Sequence, residues 1–154
     1  MISPNEYSER RQMLLNLMES PSIMLIHSGV EKVSSADENF PFEVNRNFYY
    51  LTGIDQPDSA LLIVNSDGEM KEFLFISPFD ERKEKWYGKR LKPEEASSIS
   101  GISNVMTNTS LEAKVDMIFR EDSYGEIRRI YLDLDRELKI ADETTTRDFK
   151  RCRR

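Results

Sequence analysis

The sequence predicts an α/β fold, in which a three-layer arrangement places a mixed β-sheet between flanking helices. Short apolar runs of strand length alternate along the chain with segments of helical spacing. Two of these runs flank Ser66-Asp67-Gly68, a turn sequence that forces at least one antiparallel pair. The second run is apolar on both faces, which predicts a strand covered on each side.

One helix and three strands are predicted in the first half of the chain. Ser3-Pro4-Asn5-Glu6 is a capping box with proline at the first helical position, so a helix begins there, and Ser20-Pro21 ends it. The apolar stripe of this helix is predicted to contain Tyr7, Leu14, Leu17 and Met18. Strands are predicted at Ser22–His27, Ala60–Asn65 and Lys71–Ser77, and a loop at Ser28–Glu38.

Two helices and two strands are predicted in the second half. A helix over Pro93–Ile99 ends at Gly101, and a short strand over Ser103–Met106 follows. Thr109 and Glu112 form a second capping box, which opens a helix. The apolar face of that helix is predicted to contain Leu111, Val115, Ile118 and Phe119. Arg129–Leu134 is predicted to be the last strand.

Composition narrows the class of protein. A chain of 154 residues with a net charge of −6 is expected to form one domain, with or without a tail. Its acidity opposes binding to nucleic acid or anionic lipid, and it has no apolar run of membrane-spanning length. Cys152 is the only cysteine, so no disulfide can form within the chain. We therefore expect a cytoplasmic protein.

The densest cluster of aromatic residues lies at Phe40–Gly53, which reads FPFEVNRNFYYLTG. Aromatic side chains anchor cores and also line concave binding sites. So many rings in so short a span cannot all enter one core layer. We expect Phe48, Tyr50 and Leu51 to be buried, and Tyr49 or Phe42 to be partly exposed.

Few residues offer catalytic chemistry. His27 is the only histidine, and no nucleophile motif or glycine-rich phosphate loop is present. Asp133 and Asp135 form a D-x-D pair on a predicted strand, where both carboxylates point to one face. Such a pair suits a divalent cation, but it also suits the solvent-facing side of an edge strand.

Two charged segments have alternative interpretations. Asp80–Lys85 is followed by Trp86, Tyr87 and Arg90, a combination suited to gripping a peptide or another chain. The alternative is a tryptophan packed against its own domain. Residues 141–154 contain few apolar residues and end in a basic run, which predicts a frayed tail or the start of a linker.

The assembled motifs resemble the N-terminal domain of aminopeptidase P, the Xaa-Pro aminopeptidases of the creatinase/prolidase superfamily. The signature FPFEVNRNFYYLTGIDQPDSALLIV carries most of the resemblance. Tyr7–Leu15, Ser35-Ala36-Asp37 and Glu84–Leu91 (EKWYGKRL) are similar to further elements of that family, in the same order. The resemblance predicts residues 1–140 as this domain and residues 141–154 as the start of a linker to a catalytic domain.

This resemblance implies a sheet with a ribonuclease-H-like motif and a place in a peptidase. The family removes the N-terminal residue from peptides that have proline second. Its two metal ions, usually manganese, bind to a C-terminal pita-bread domain, so no cofactor and no metal or catalytic residue is expected in this chain. We therefore expect this chain alone to be inactive.

Within the family, the N-terminal domain assembles subunits and caps the peptide-binding cleft. Asp37 and Trp86 match residues that reach a neighbouring subunit's pocket, and Arg90 and Tyr50 are included with them. The implied partners are the catalytic domain, neighbouring subunits and proline-containing peptides. Two alternatives stay open: a free-standing protein-interaction module of the same fold, and an independent enzyme that uses Asp133 and Asp135.

Overall fold

The computed structural model describes residues 1–31, 33–35, 38–39, 42–82, 84, 89–120 and 124–133. The helices with defined bounds are α1 (Pro4–Leu17), α2 (Arg46–Thr52), α3 (Pro93–Ser100) and α4 (Leu111–Arg120). The strands are β1 (Ser22–His27), β2 (Val33–Ser35), β3 (Glu38–Asn39), β4 (Ala60–Ser66), β5 (Glu69–Ile76), β6 (Val105–Thr107) and β7 (Arg129–Leu132).

Five strands form the mixed sheet that the sequence predicts, in the order β6-β5-β4-β1-β7. The central pairs β1–β4 and β4–β5 are antiparallel, whereas β1–β7 and β5–β6 are parallel. The short strands β2 and β3 pair with each other as a separate antiparallel unit. The prediction of a loop over Ser28–Glu38 was wrong in this respect, because three-residue and two-residue strands are too short to leave an apolar period in the sequence.

The β4–β5 hairpin confirms the predicted turn. Asp67 and Gly68 have φ angles of 52° and 81°, the left-handed pair that a two-residue hairpin requires. The side chain of Asn65 supports the turn by accepting a hydrogen bond from the Gly68 backbone N–H at 3.0 Å. Strand β4 is buried from Ala60 to Asn65, as expected for a central strand with both faces covered.

Helices cover the two faces of the sheet and create two apolar cores. On one face, α1, α2 and α3 supply Leu15, Phe48 and Ala96 to a core that includes Leu61 and Leu74 from the sheet. On the other face, α4 packs its apolar stripe on the sheet, with a core that contains Leu62, Phe75, Leu111, Val115 and Ile118. Both cores together confirm the predicted three layers.

Helix α1 begins as predicted but buries a different stripe. The Ser3 hydroxyl accepts a hydrogen bond from the Glu6 backbone N–H at 3.3 Å, which confirms the cap. The stripe that faces the sheet contains Tyr7, Arg11, Leu15 and Met18, whereas Leu17 is 81% exposed. The predicted stripe was therefore partly wrong. The buried face includes the polar residue Arg11, which a search for apolar residues passes over.

Helix α2 was not predicted, and it determines how the aromatic cluster is distributed. Asn45 caps it by accepting hydrogen bonds from the backbone N–H groups of Asn47 and Phe48, and Gly53 ends it at φ 71°. Phe48 and Leu51 are buried as predicted, and Tyr49 is 43% exposed as predicted. The prediction for Tyr50 was wrong, because the helix turns it outward and leaves it 55% exposed.

The remaining elements follow the predictions with small shifts. Gly101 ends α3 in the left-handed conformation, and β6 lies one to two residues beyond its predicted place. Thr109 lies inside a 3₁₀ turn, Asn108–Ser110, so it is not the N-cap of α4 that the sequence predicted. Leu134, the predicted end of β7, lies outside the described residues. Every helix among the described residues is too short or too polar to cross a membrane.

Arg11 joins three helices to the sheet from a fully buried position. Its guanidinium donates to the backbone carbonyls of Leu51 and Ser100 at 2.8 and 2.9 Å, and these are last-turn carbonyls of α2 and α3. It also forms an ion pair with Glu72 on β5, with Nε 2.6 Å from Oε2. The last carbonyls of a helix have no backbone donor within the helix, and the C-terminal end carries a partial negative charge. The Arg11 guanidinium therefore supplies the missing donors and a favourable positive charge at both helix ends.

Candidate functional site

Three loops meet at one end of the sheet, where β1 ends and β4 begins. The backbone N–H of Ser28 donates to the Ser59 carbonyl at 2.8 Å, and the Ser59 N–H donates to the Ser28 hydroxyl at 2.9 Å. The Asp58 N–H donates to the Gly29 carbonyl at 2.9 Å. These bonds fix residues 28 and 29 against residues 58 and 59.

Arg90 attaches the third loop, which precedes α3, to this junction. Its Nη2 lies 3.2 Å from Oε1 of Glu31, and both side chains are partly buried. The neighbouring Leu91 backbone N–H donates to the side-chain oxygen of the buried Gln56 at 3.0 Å. A partly buried ion pair and a buried amide therefore hold the 89–91 loop in place. We call Glu31, Gln56, Asp58 and Arg90 the loop junction.

The surroundings of Asp58 at the loop junction shift the pKa of its carboxyl. Burial raises the pKa of the Asp58 carboxyl, Arg90 acts to lower that pKa, and Glu31 acts to raise it. Asp58 also adopts a φ of 58°, a conformation that aspartate tolerates better than most residues. The raised folded pKa means that the stability contributed by Asp58 is present below its unfolded pKa and is lost as pH rises through the folded value.

Two substitutions should move the pKa of Asp58 in opposite directions. Arg90→Gln should raise it further, because the lowering effect of the guanidinium is lost, and Glu31→Gln should lower it, because a repelling carboxylate is removed. NMR titration of the Asp58 carboxyl carbon measures both shifts. Glu6→Gln, which breaks a separate ion pair with Arg10 on α1, is the matched control and should leave the Asp58 titration unchanged. Shifts of the same sign would contradict the assigned charges.

Tyr50 belongs to a different part of the domain. The Arg10 guanidinium carbon lies 4.2 Å from the centroid of its ring, and Arg10 Nη1 donates to the Tyr50 carbonyl at 3.0 Å. Tyr50 thus contacts α1, whereas Arg90 contacts the loop after β1. The structure does not bring together these two predicted site residues. Asp37 and Trp86, the other two, lie outside the described residues.

The D-x-D pair is described only at its first member. The Asp133 carboxylate accepts hydrogen bonds from the side-chain amides of Asn45 and Asn47 at 3.1 and 2.8 Å, so it ties the end of β7 to the start of α2. Asp135 lies outside the described residues. Within the described ranges, no group of three or more His, Cys, Asp and Glu residues is placed to hold a metal ion.

The family comparison covers most of the chain that forms this fold. The family model described as the N-terminal domain of aminopeptidase P matches residues 7–127. The chain belongs to this family. The match confirms the resemblance carried by the aromatic signature. That signature contains α2, Gln56 and Asp58 of the loop junction, and most of β4.

Individual relatives agree with the assignment to the aminopeptidase P N-terminal domain. A Haemophilus influenzae Xaa-Pro aminopeptidase is 36% identical over 91 residues, which are 59% of this chain and 21% of that protein. An aminopeptidase P structure from Bacillus anthracis has a TM-score of 0.84 and 35% identity over 99% of this chain and 36% of its own. The low-pH form of Escherichia coli aminopeptidase P has a TM-score of 0.85 and 26% identity over all of this chain and 34% of its own.

This chain therefore spans about a fifth of the first curated relative and about a third of each solved chain. Sequence reasoning found Arg90 through the family pattern but missed its partner Glu31, which stood in a segment predicted as featureless loop. It also missed Arg11. The sequence did contain a signal for Arg11. It lies four residues after Tyr7 and four before Leu15, so all three side chains fall on the same face of a helix.

Proposed function

We propose that this chain is the non-catalytic N-terminal domain of a longer, metal-dependent Xaa-Pro aminopeptidase, where it supports subunit assembly and caps the peptide-binding cleft. The match of residues 7–127 to the family's N-terminal domain carries this proposal. Its partners are then the catalytic domain, neighbouring subunits and proline-containing peptides.

The chemistry of the four predicted site residues suits capping to different degrees. A carboxylate at Asp37 would pair with the free amino terminus of a peptide, and the Trp86 indole would pack on a proline ring. Arg90 is engaged by Glu31, and Tyr50 is engaged by Arg10. We therefore assign peptide contact to Asp37 and Trp86, and a supporting role to Arg90. We also propose a supporting role for Tyr50, whose ring is 55% exposed.

The metal chemistry is assigned to the catalytic domain of the longer enzyme. We propose that the two manganese ions bind to that domain, as the family resemblance implies, and that the reaction takes place there. The longer enzyme is proposed to work in the cytoplasm as an oligomer, with this domain at the contact between subunits.

Trp86→Ala tests the capping role. Because a capping indole faces a partner, we expect the substitution to change the free energy of unfolding of this chain by less than ~1 kcal/mol. In the longer enzyme it should reduce turnover of Xaa-Pro peptides while metal content stays unchanged. Urea denaturation and a peptidase assay measure the two effects, with the exposed Tyr49→Ala as control. A stability loss of ~3–5 kcal/mol would make Trp86 a core residue.

A further inference from the structure

The turn at residues 56–59 holds both ends of the connection from β5 to α3. At the start of this connection, the Ser77 hydroxyl donates a hydrogen bond to the Pro57 carbonyl at 3.4 Å. At its end, the Leu91 backbone N–H donates to the side-chain oxygen of Gln56 at 3.0 Å. Both ends of the connection are therefore attached to the same turn.

Gln56 is built into this turn as a fixed acceptor. The residue is 3% exposed, and its amide nitrogen lies 3.5 Å from the Ser59 hydroxyl, which donates to the Pro57 carbonyl at 3.2 Å. A buried amide whose nitrogen and oxygen both have partners keeps one orientation, because turning it over would leave buried polar atoms unpaired. The Gln56 oxygen is therefore held toward the Leu91 N–H.

Glu31 supplies a second point of attachment, on the residue beside Leu91. The Arg90 guanidinium lies 3.2 Å from the Glu31 carboxylate, and the two side chains are only 20% and 26% exposed. Water screens this pair less than the nearby pair of Lys89 and Glu95, whose lysine is 70% exposed and whose charged atoms are 3.8 Å apart. We call the Leu91–Gln56 hydrogen bond and the Arg90–Glu31 ion pair the two anchors.

The two anchors lie close in sequence to a residue assigned to peptide contact. Trp86 precedes Arg90 by four residues, a distance that an extended chain spans in at most ~14 Å. Covalent geometry therefore ties the reach of the indole to the place where the anchors hold Arg90. A binding group that is held in place before its ligand arrives loses less conformational freedom on binding, so it binds more tightly.

We propose, on the basis of the capping function proposed above, that Gln56 and Glu31 are positioning residues for peptide binding. They hold Leu91 and Arg90, and through these two residues they set the reach of Trp86. Neither positioning residue contacts the peptide or the metal ions. Loss of an anchor should therefore weaken substrate binding and leave the chemical step unchanged, which raises KM at constant kcat.

Gln56→Met tests the first anchor, because methionine keeps the side-chain volume and removes the oxygen that Leu91 binds. In the 154-residue chain we expect the Leu91 amide to exchange ~10-fold faster, and the Gly101 amide, which donates to Ser97, to be unchanged. In the longer enzyme, KM for an Xaa-Pro peptide should rise ~10-fold, with kcat changed by less than about 2-fold. Gln12→Met, at an exposed position on α1, is the matched control and should change none of these values.

Two further variants separate positioning from a general loss of structure. Gln56→Glu, which puts back an oxygen acceptor, should recover most of the affinity that Gln56→Met loses. Glu31→Met removes the second anchor at a partly exposed position and should raise KM ~3-fold, again at constant kcat. Circular dichroism of each variant verifies that the domain is folded.

The Trp86→Ala enzyme separates a failure of the positioning role from a failure of the capping function. If Trp86→Ala lowers turnover but KM in the Gln56→Met and Glu31→Met enzymes equals that of Gln12→Met, capping stands and the positioning role is overturned. A lower kcat at unchanged KM in both anchor variants would also overturn it. If Trp86→Ala leaves turnover unchanged, the capping function fails and the positioning role fails with it.

Discussion

Arg11→Met is expected to lower the free energy of unfolding by ~3–5 kcal/mol, the range for removing one partner of a buried ion pair. The substitution keeps most of the side-chain volume, so packing changes little. It leaves Glu72 without its guanidinium and leaves the carbonyls of Leu51 and Ser100 without a donor, at the ends of two helices. Such a loss approaches the total stability of many small domains. Urea or thermal denaturation followed by circular dichroism measures it.

Arg10→Met is the matched control, because Arg10 neighbours Arg11 but its partners, Glu6 and the Tyr50 ring, are both half-exposed. Its effect should stay below ~1 kcal/mol. The double variant Arg11→Met/Glu72→Met should recover part of the loss by removing the stranded carboxylate, but not all, since the two carbonyls stay unsatisfied. Equal effects of Arg10→Met and Arg11→Met would mean that the buried hydrogen bonds and ion pair of Arg11 do not hold α2, α3 and β5 together.

Phe48→Ala is the second substitution with a large expected effect, a loss of ~3–5 kcal/mol. Phe48 is fully buried in the core under α2, where it packs in the same cluster as Leu61 and Leu74. Truncation removes its transfer free energy and leaves a cavity, because α2 is held at both ends and cannot move inward. Chemical denaturation measures the loss.

Tyr49→Ala, one position along the same helix, is the control for Phe48. With 43% of Tyr49 exposed, its truncation should change stability by less than ~1 kcal/mol, so the pair separates burial from helix propensity. A Phe48→Ala variant as stable as Tyr49→Ala would show that the aromatic cluster is packed differently.

Much of this fold follows from local sequence signals. The Ser3 cap, the turn at Asp67-Gly68 and the stop at Gly101 each need only neighbouring residues, and all three were predicted correctly. Helix α2 was missed although Asn45 and Gly53 mark its ends. A helix of seven residues makes only about two turns, which is too few for a repeat of apolar residues to be recognised.

The long-range features could not be predicted in the same way. Arg11 is polar in sequence and buried in the fold only because two helix C-termini and Glu72 converge on it from positions 40 to 89 residues away. The Glu31–Arg90 pair joins residues 59 positions apart. Family resemblance identified Arg90 without its partner Glu31, and it identified Tyr50 without showing that Arg10 packs on its ring.

A peptidase assay of the purified 154-residue chain is the most direct test of the central claim, that this is a non-catalytic domain of an Xaa-Pro aminopeptidase. The assay supplies an Xaa-Pro peptide with and without added Mn²⁺, and a full-length aminopeptidase P is the positive control. Positioning residues alone do not replace the metal-activated water of a metallopeptidase. We predict no release of the N-terminal residue above buffer under either condition, whereas release that a chelator abolishes would contradict the account.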